Sequence, residues 1–309
     1  MGEKPVFIPS AYEMIGVAYF WCETEFFPGG EREAGPVDLT VQRNFKGLPY
    51  VRGSSIKGAL RSFYELNDGK SDAEVLFGSA EQAGCLVVEN AEIIAFPVKA
   101  DVELFVYVTS PSQVSAYVRD VSKFGVSLEE VSVEGSDKAL SATLSGEIEL
   151  MDEKYKLKLE KNEKVSKLAS EIAKHAIPKV DGKPAPGYSY LKQKLEKLIV
   201  VDDTLFREIV NSGLVITLRI ALNRETKTVA EKALFYQELI PEGTLFYAPI
   251  MRSIRSRCRK ENDDKIKSFL EKLSKGLLIN LGGDETTGKG VVRIVAHGVK
   301  GCEGGSGSH

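Results

Sequence analysis

The stretch MIGVAYFWC, residues 14–22, decides how the rest of the chain is read. Its β-branched and aromatic side chains run on without a polar break, the composition of a buried strand. After it, residues 23–53 are rich in Gly and Pro and show no clean period. A loop of that length inside a compact protein is usually functional or disordered. It ends at Ser54, which is predicted to cap a helix carrying Ile56, Leu60 and Phe63 on one face. Strands at about 85–95 and 103–109 follow, and Pro111 opens a helix with Val114, Tyr117, Val118 and Val121 on its apolar side. The order β, α, β, β, α is the opening of a ferredoxin-like (RRM-like) unit in an α+β fold.

The closing strand is delayed. Residues 126–213 read as an insertion, with β-hairpin material over 129–163, a Lys/Glu-rich helix near 160–176 and an exposed loop at 178–188. A short helix, TLFREIV, then begins at Asp202 and Asp203, carboxylates that suit the positive end of a helix dipole. Strands at 214–222 and 244–250 enclose NRETKTVAEKALFYQE, expected to project as a hairpin over 223–238. A helix near 262–275 and strands at 277–281 and 290–297 finish the chain. The expectation is a single domain over 1–300, with its core in 14–125 and 214–298. Residues 301–309, ending GGSGSH, read as an appended tail.

The 309 residues are 43% hydrophobic and 28% charged, which is the composition of a soluble globular protein. No apolar run approaches the roughly eighteen residues of a membrane helix. The N-terminus lacks the basic-then-apolar order of a secretory signal. A cytoplasmic protein without membrane attachment is expected. The four cysteines stand far apart with no CxxC, so free thiols are expected rather than a zinc site or disulfide framework. With His309 in the tail, His175 and His297 remain for chemistry, a poor supply for paired-histidine catalysis.

Net charge is −3, yet the charges are unevenly placed. Arg43, Lys46, Arg52, Lys57 and Arg61 lie between Leu39 and Ser62 with no acid among them. Residues 252–260 hold four Arg and one Lys, and Lys289, Arg293 and Lys300 follow without a negative neighbour. Basic stretches on an acidic chain fit a phosphate-binding face, and ordinary charge scatter is the competing reading. GGDETTGKG, 282–290, nearly matches a phosphate-binding P-loop, but Gly290 stands where Ser or Thr would hold magnesium. The strand-like VVRIVAHGV follows where a helix is needed, so nucleotide hydrolysis is excluded. Its glycines suit either close approach to an anion or a plain turn. VRGSSIKGALR, 51–61, sets Ser54, Ser55 and Lys57 at a helix start with Arg61 a turn beyond. That is a phosphate site or a capped surface helix. Asp38 is the one acid between Glu33 and Glu65. It can recruit a divalent metal or orient a proton transfer, or it is ordinary loop chemistry.

Five ordered segments resemble the RAMP proteins of CRISPR defence. They are VDLTVQR (37–43) with GLPYVRGSSIKGALRSFYE (47–65), VTSPSQV (108–114), DDTLFREIV (202–210), LFYQELIPEGTLFY (234–247) and GGDETTGKG. Together they look like the repeated backbone subunit of the type III-B Cmr effector over residues 14–298. The resemblance implies a ferredoxin-like palm, with a hairpin thumb at about 223–238. It implies head-to-tail assembly with other copies and other Cmr subunits along a crRNA guide. It also implies cleavage of complementary target RNA at regular intervals by metal-assisted attack of a ribose 2′-OH. Asp38 is then the catalytic and metal-binding residue, with Mg or Mn, and Glu238 a second acid. Arg43, Ser54, Ser55, Lys57, Arg61, Lys289 and Arg293 become RNA contacts. Relatives often have His where Phe27 stands, so this chain manages without it, and Phe27 packs or stacks on a base. The competing readings are a non-catalytic RNA-coating scaffold, the equivalent ribonuclease of the type III-A Csm effector, and a standalone metal-dependent RNase.

Overall fold

The structure, a computed structural model, describes residues 12–32, 36–123, 125–222, 229–253, 258 and 262–298. The opening stretch forms β1 (Tyr12–Cys22). Its side chains alternate between two apolar clusters, Val17, Tyr19 and Trp21 entering one and Ala18, Phe20 and Cys22 the other. Burial on both faces is why this strand shows no polar alternation.

The long loop expected over 23–53 carries three short strands, β2 (Gly30–Arg32), β3 (Leu39–Val41) and β4 (Tyr50–Val51). They are too short to show a period; β2 pairs with β3, and β3 and β4 are tied to the distant β15 and β6. After them come α1 (Gly53–Asn67), α2 (Lys70–Phe77), β5 (Leu86–Val88), β6 (Ala91–Lys99), β7 (Phe105–Thr109) and α3 (Pro111–Ser122). Residues 85–95 are thus split between two strands. The insertion holds β8 (Lys138–Ser141), β9 (Gly146–Leu150), β10 (Tyr155–Lys161), α4 (Glu163–Ala176), β11 (Lys179–Val180), β12 (Lys183–Pro184), α5 (Tyr188–Leu195), β13 (Ile199–Val200) and α6 (Asp203–Ser212). The chain continues as β14 (Val215–Leu222), β15 (Val229–Leu239), β16 (Leu245–Ser253), α7 (Asp263–Ser274), β17 (Leu277–Asn280) and β18 (Val291–Gly298). Residues 223–228 of the expected thumb, and the tail 301–309, lie outside the described residues.

Among the described residues, twelve strands form one sheet, ten along the path β17-β18-β1-β16-β6-β7-β13-β8-β10-β9, with β4 paired to β6 and β5 to β16. Four successive neighbours, β18-β1-β16-β6, are antiparallel in turn. Helix α1 lies between β1 and β6 in sequence, and α7 between β16 and β18. This corrects the expected order of elements: β7 and α3 are not the third strand and second helix of this unit. β7 pairs instead with the far half of β6, Phe96 opposite Val108, and β16 takes the place beside β1. Nothing local in the sequence marks a pairing made so late in the chain. Helices α1 and α7 cover the Phe20 face through Ile56, Leu60, Tyr64 and Phe269. Helices α3, α4 and α5 cover the Trp21 face through Tyr117, Leu168, Ile172 and Leu195. The insertion therefore contributes to both apolar clusters, through α4 and α5 on the Trp21 face and α6 on the other.

Ser54 is not the cap of α1. The helix starts one residue earlier, where Gly53 N–H donates to Asn90 Oδ1 at 3.0 Å. Asp202 does cap α6, accepting from Thr204 N–H at 2.8 Å, while Asp203 turns to the N–H of Ser112 at the start of α3, 3.0 Å away. The free-thiol expectation fails for two cysteines: Cys85 and Cys258 form a disulfide with Cα atoms 5.3 Å apart. Pairing of β5 with β16 carries the two together, which their sequence separation of 173 hides. Cys22 is free and buried, and burial pushes its thiol pKa up. Cys302 lies outside the described residues.

Candidate active site

A second sheet, β14-β15-β3-β2, stands apart from the first. β14 and β15 form an antiparallel hairpin with Leu218 opposite Tyr236, and β15 meets β3 in parallel with Gln237 opposite Leu39. That register sets Asp38 beside Tyr236, whose backbone N–H donates to Asp38 Oδ2 at 2.8 Å. The Asp38 side chain is exposed. Among the described residues its other oxygen accepts no hydrogen bond.

One residue further along, the strand is held by charge. Arg43 Nη2 lies 3.0 Å from both Glu238 oxygens, and Glu238 Oε2 also accepts the N–H of Val41 at 2.9 Å. Two more of its N–H groups are used, Nη1 donating to Val41 O at 3.0 Å and Nε to Asn211 Oδ1 at 2.9 Å. Arg43 and Glu238, expected as an RNA contact and a second acid, are thus partners. On the other side of β15, Gln237 donates to Asp284 Oδ2 at 3.1 Å, and Arg219 Nη1 reaches the same oxygen at 2.5 Å. Burial opposes ionisation of Asp284, but the bonds from Arg219 and Gln237 outweigh it and hold its pKa below the ordinary value. The hairpin base is therefore tied to the glycine-rich loop. Its outer face presents Ile216, Leu218 and Tyr236, all exposed.

The remaining expected contacts fall in two places. Ser54, Ser55, Lys57 and Arg61 line the first turns of α1. Arg61 is ion-paired to Glu65 at 2.7 Å. Lys57 has no carboxylate partner among the described residues, and its pKa is lowered by burial and then by Arg61. Lys289 and Arg293 stand on the glycine-rich side. Lys289 pairs with Glu25 at 3.4 Å, and Arg293 with Glu23 at 2.5 Å and Tyr188 Oη at 2.7 Å. Arg293 lines a cavity of about 610 Å³ walled by Trp21, Phe105, Tyr107, Tyr188 and Tyr190, where its charge is already neutralised. Arg252, first of the basic stretch 252–260, is held by Glu13 and Asp263. Residues 254–257, 259 and 260 lie outside the described residues.

The loop glycines serve the loop's own backbone. A Cβ on Gly282 (φ +84°) would lie 2.0 Å from Phe27 O, and one on Gly290 (φ +74°) 2.3 Å from Leu281 O. Phe27 is buried in the apolar cluster, so it packs rather than stacks. His175 and His297 meet each other, ring centroids 3.7 Å apart, on helix α4 and strand β18. Among the described residues no three His, Cys, Asp or Glu side chains converge to hold a metal. Of the carboxylates at this sheet, Glu238 and Asp284 are ion-paired and Asp38 is not. Sequence reading missed Asn211, Arg219, Gln237 and Asp284. Asp284 sat inside a motif read for its glycines, and the other three carried no local signal.

A family model of the RAMP superfamily matches residues 4–293. The CRISPR system Cmr endoribonuclease Cmr4 of Pyrococcus furiosus is 32% identical over 283 residues, 88% of this chain and 92% of that protein. The chain belongs to the RAMP superfamily, in its Cmr4 family. The crystal structure of oligomeric Cmr4 from P. furiosus is similar to this RAMP chain with a TM-score of 0.72 and 25% identity, covering 93% of it and 100% of the other. A type III-B Cmr-beta complex bound to cognate target RNA, seen by cryo-EM, contains a chain of the same fold, with a TM-score of 0.69 and 23% identity over 93% of this RAMP chain and 98% of that one. The mixed α/β architecture is thus that of Cmr4 structures. Among the described residues no helix is long and apolar enough to cross a membrane.

Proposed function

We propose that this chain is a repeated backbone subunit of a type III-B Cmr ribonucleoprotein. It lies along a crRNA guide in head-to-tail copies, with other Cmr subunits, and cleaves the paired target RNA at regular intervals. Membership of the Cmr4 family supports this, as do an endoribonuclease relative, an oligomeric relative and a fold shared with a target-bound complex. In this reading the β18-β1-β16-β6 quartet with α1 and α7 is the ferredoxin-like palm, and the β14–β15 hairpin is the thumb. The observation that carries it is Asp38, held by the Tyr236 N–H at the hairpin base with one oxygen left unengaged.

The chemistry follows from that geometry. An RNA strand crossing the exposed stripe of Ile216, Leu218 and Tyr236 is unstacked there, which swings one ribose 2′-OH toward the next phosphorus. The unengaged Asp38 oxygen accepts the 2′ proton while the bond to Tyr236 fixes the carboxylate's direction. The 2′-oxygen bonds to phosphorus, the P–O5′ bond breaks, and the departing 5′ oxygen takes a proton from water. A 2′,3′-cyclic phosphate and a 5′-OH result. Asp38 is the residue that would hold an Mg or Mn ion, which would supply charge stabilisation at the reacting phosphate. Base pairing with the guide selects the target.

The test is cleavage of end-labelled, guide-complementary RNA by the assembled complex, with and without divalent metal, for wild type and Asp38→Ala. Regularly spaced, metal-dependent products that vanish in the variant while RNA binding persists are expected. An unchanged ladder moves catalysis off Asp38, and no ladder from wild type leaves a scaffold.

A further inference from the structure

Most of the expected RNA-contact cations are already ion-paired, whereas two cations on the insertion face one open space without a carboxylate partner among the described residues. Between α6 and the β9–β10 turn lies a cleft of about 520 Å³ lined by Lys154, Tyr155, Arg207, Glu208, Asn211 and Ser212. Lys154 Nζ is held by Ser212 Oγ at 2.9 Å and stands 5.2 Å from the Tyr155 ring centroid. Among the described residues neither Lys154 nor Arg207 has a carboxylate partner, and Glu208 pairs with neither. The turn that presents Lys154 is built from Met151, Asp152 and Glu153, all at positive φ of 55°, 56° and 68°, a region L-residues seldom enter. It is anchored by Met151 N–H on Lys99 O at 3.0 Å. Two cations facing one space, with an aromatic ring beside them, form a site for a phosphate and a base.

The cleft is joined to the Asp38 sheet by one side chain. Asn211 Nδ2 donates to Arg207 O at 2.9 Å and Gly47 O at 3.2 Å, while its Oδ1 accepts from Arg43 Nε at 2.9 Å. Arg43 in turn grips Glu238 and Val41 on the strands flanking Asp38. The Arg207 stem lies over Gly47, close enough that a Cβ there would come 3.1 Å from its Cδ.

We propose that this cleft binds one nucleotide of an RNA strand, its phosphate between Lys154 and Arg207 and its base against Tyr155. The proposal rests on the RNA-binding part of the function proposed above and extends the RNA surface onto the insertion. A fluorescently labelled single-stranded oligoribonucleotide, titrated with the full chain at several salt concentrations, tests it. For the double variant Lys154→Gln/Arg207→Gln the slope of log K against log salt falls in magnitude by about 0.7, the value for one phosphate on a single strand. Tyr155→Ala weakens binding by about tenfold and Tyr155→Phe restores it. With wild type, 4-thiouridine RNA crosslinks to peptides containing residues 154–155 or 207–212. An unchanged slope, or crosslinks absent from both peptides, overturns the proposal. So does loss of self-association with RNA affinity intact, which would give the cleft to a protein neighbour. Cleavage is not the readout, so failure of Asp38-dependent cleavage leaves this result standing. A chain without affinity for the oligonucleotide overturns both readings.

Discussion

The two sheets of this protein are held by opposite means. In the central sheet β1 is sealed on both faces, Phe20 and Trp21 being 2% and 1% exposed, and burial of apolar area dominates. The small sheet beside it is held by directed polar contacts: Tyr236 to Asp38, Arg43 to Glu238, and Gln237 and Arg219 to Asp284. Its outer face leaves apolar side chains in solvent. Stability is concentrated in one sheet and the proposed chemistry in the other, so damage to each should register in different measurements.

The sharpest break in that comparison is Phe20→Ala against Asp38→Ala. The first should lower unfolding free energy by about 3–5 kcal/mol. The second should leave the denaturant midpoint nearly unchanged while abolishing cleavage. A large stability loss from Asp38→Ala would mean that the carboxylate is structural. Next in size is the disulfide, which ties β5 to the segment after β16. Cys258→Ser, compared with wild type under oxidising conditions, should cost about 2–4 kcal/mol, and reduction of the wild type should reproduce it. Arg43→Ala should cost about 1–3 kcal/mol, because it strips the partly buried Glu238 of its partner. It should slow cleavage more than it weakens RNA binding; equal losses would instead make Arg43 a direct contact.

A further effect, on neither sheet's site, is on pH. Burial first, then Lys174 and Lys179, holds His175 at about 4. Burial and then His175 hold His297 at about 4, both below the ordinary 6.5. Glu171, which bonds His175 Nε2 at 2.7 Å, does not reverse this. A pKa depressed on folding gives stability that is present above about pH 6.5 and lost as pH falls toward 4. The melting temperature should therefore drop through that window. Replacing both histidines with Gln should flatten the decline.

What could be read in advance divides along the same line. β1, α3, α4, α6 and α7 announce themselves because their apolar residues recur within a few positions, and Asp202 because a cap acts on its own helix. β16 as the partner of β1 could not be read, since strand pairing leaves no mark in either strand. The same holds for Cys85 with Cys258. Asp38 was legible as the lone acid in a basic stretch. Its neighbours were not: Arg43 looked free because Glu238 lies 195 residues away, and Arg293 because Glu23 lies 270 away. A count of local charge registers cations and is blind to the carboxylates folding brings to them.

The position of β1 also sets a clock. The first described strand of the chain lies between β16 and β18, with Val17 opposite Pro249 on one side and His297 on the other. During synthesis the VAYFWC run leaves the ribosome long before either neighbour exists. The insertion that covers its Trp21 face comes next, and the sheet closes only when nearly the whole chain is out. Such long-range pairing folds slowly and leaves apolar edges open meanwhile. A chain truncated before β16 would expose that strand permanently, so a nascent chain halted there is a substrate for chaperones rather than a half-built subunit.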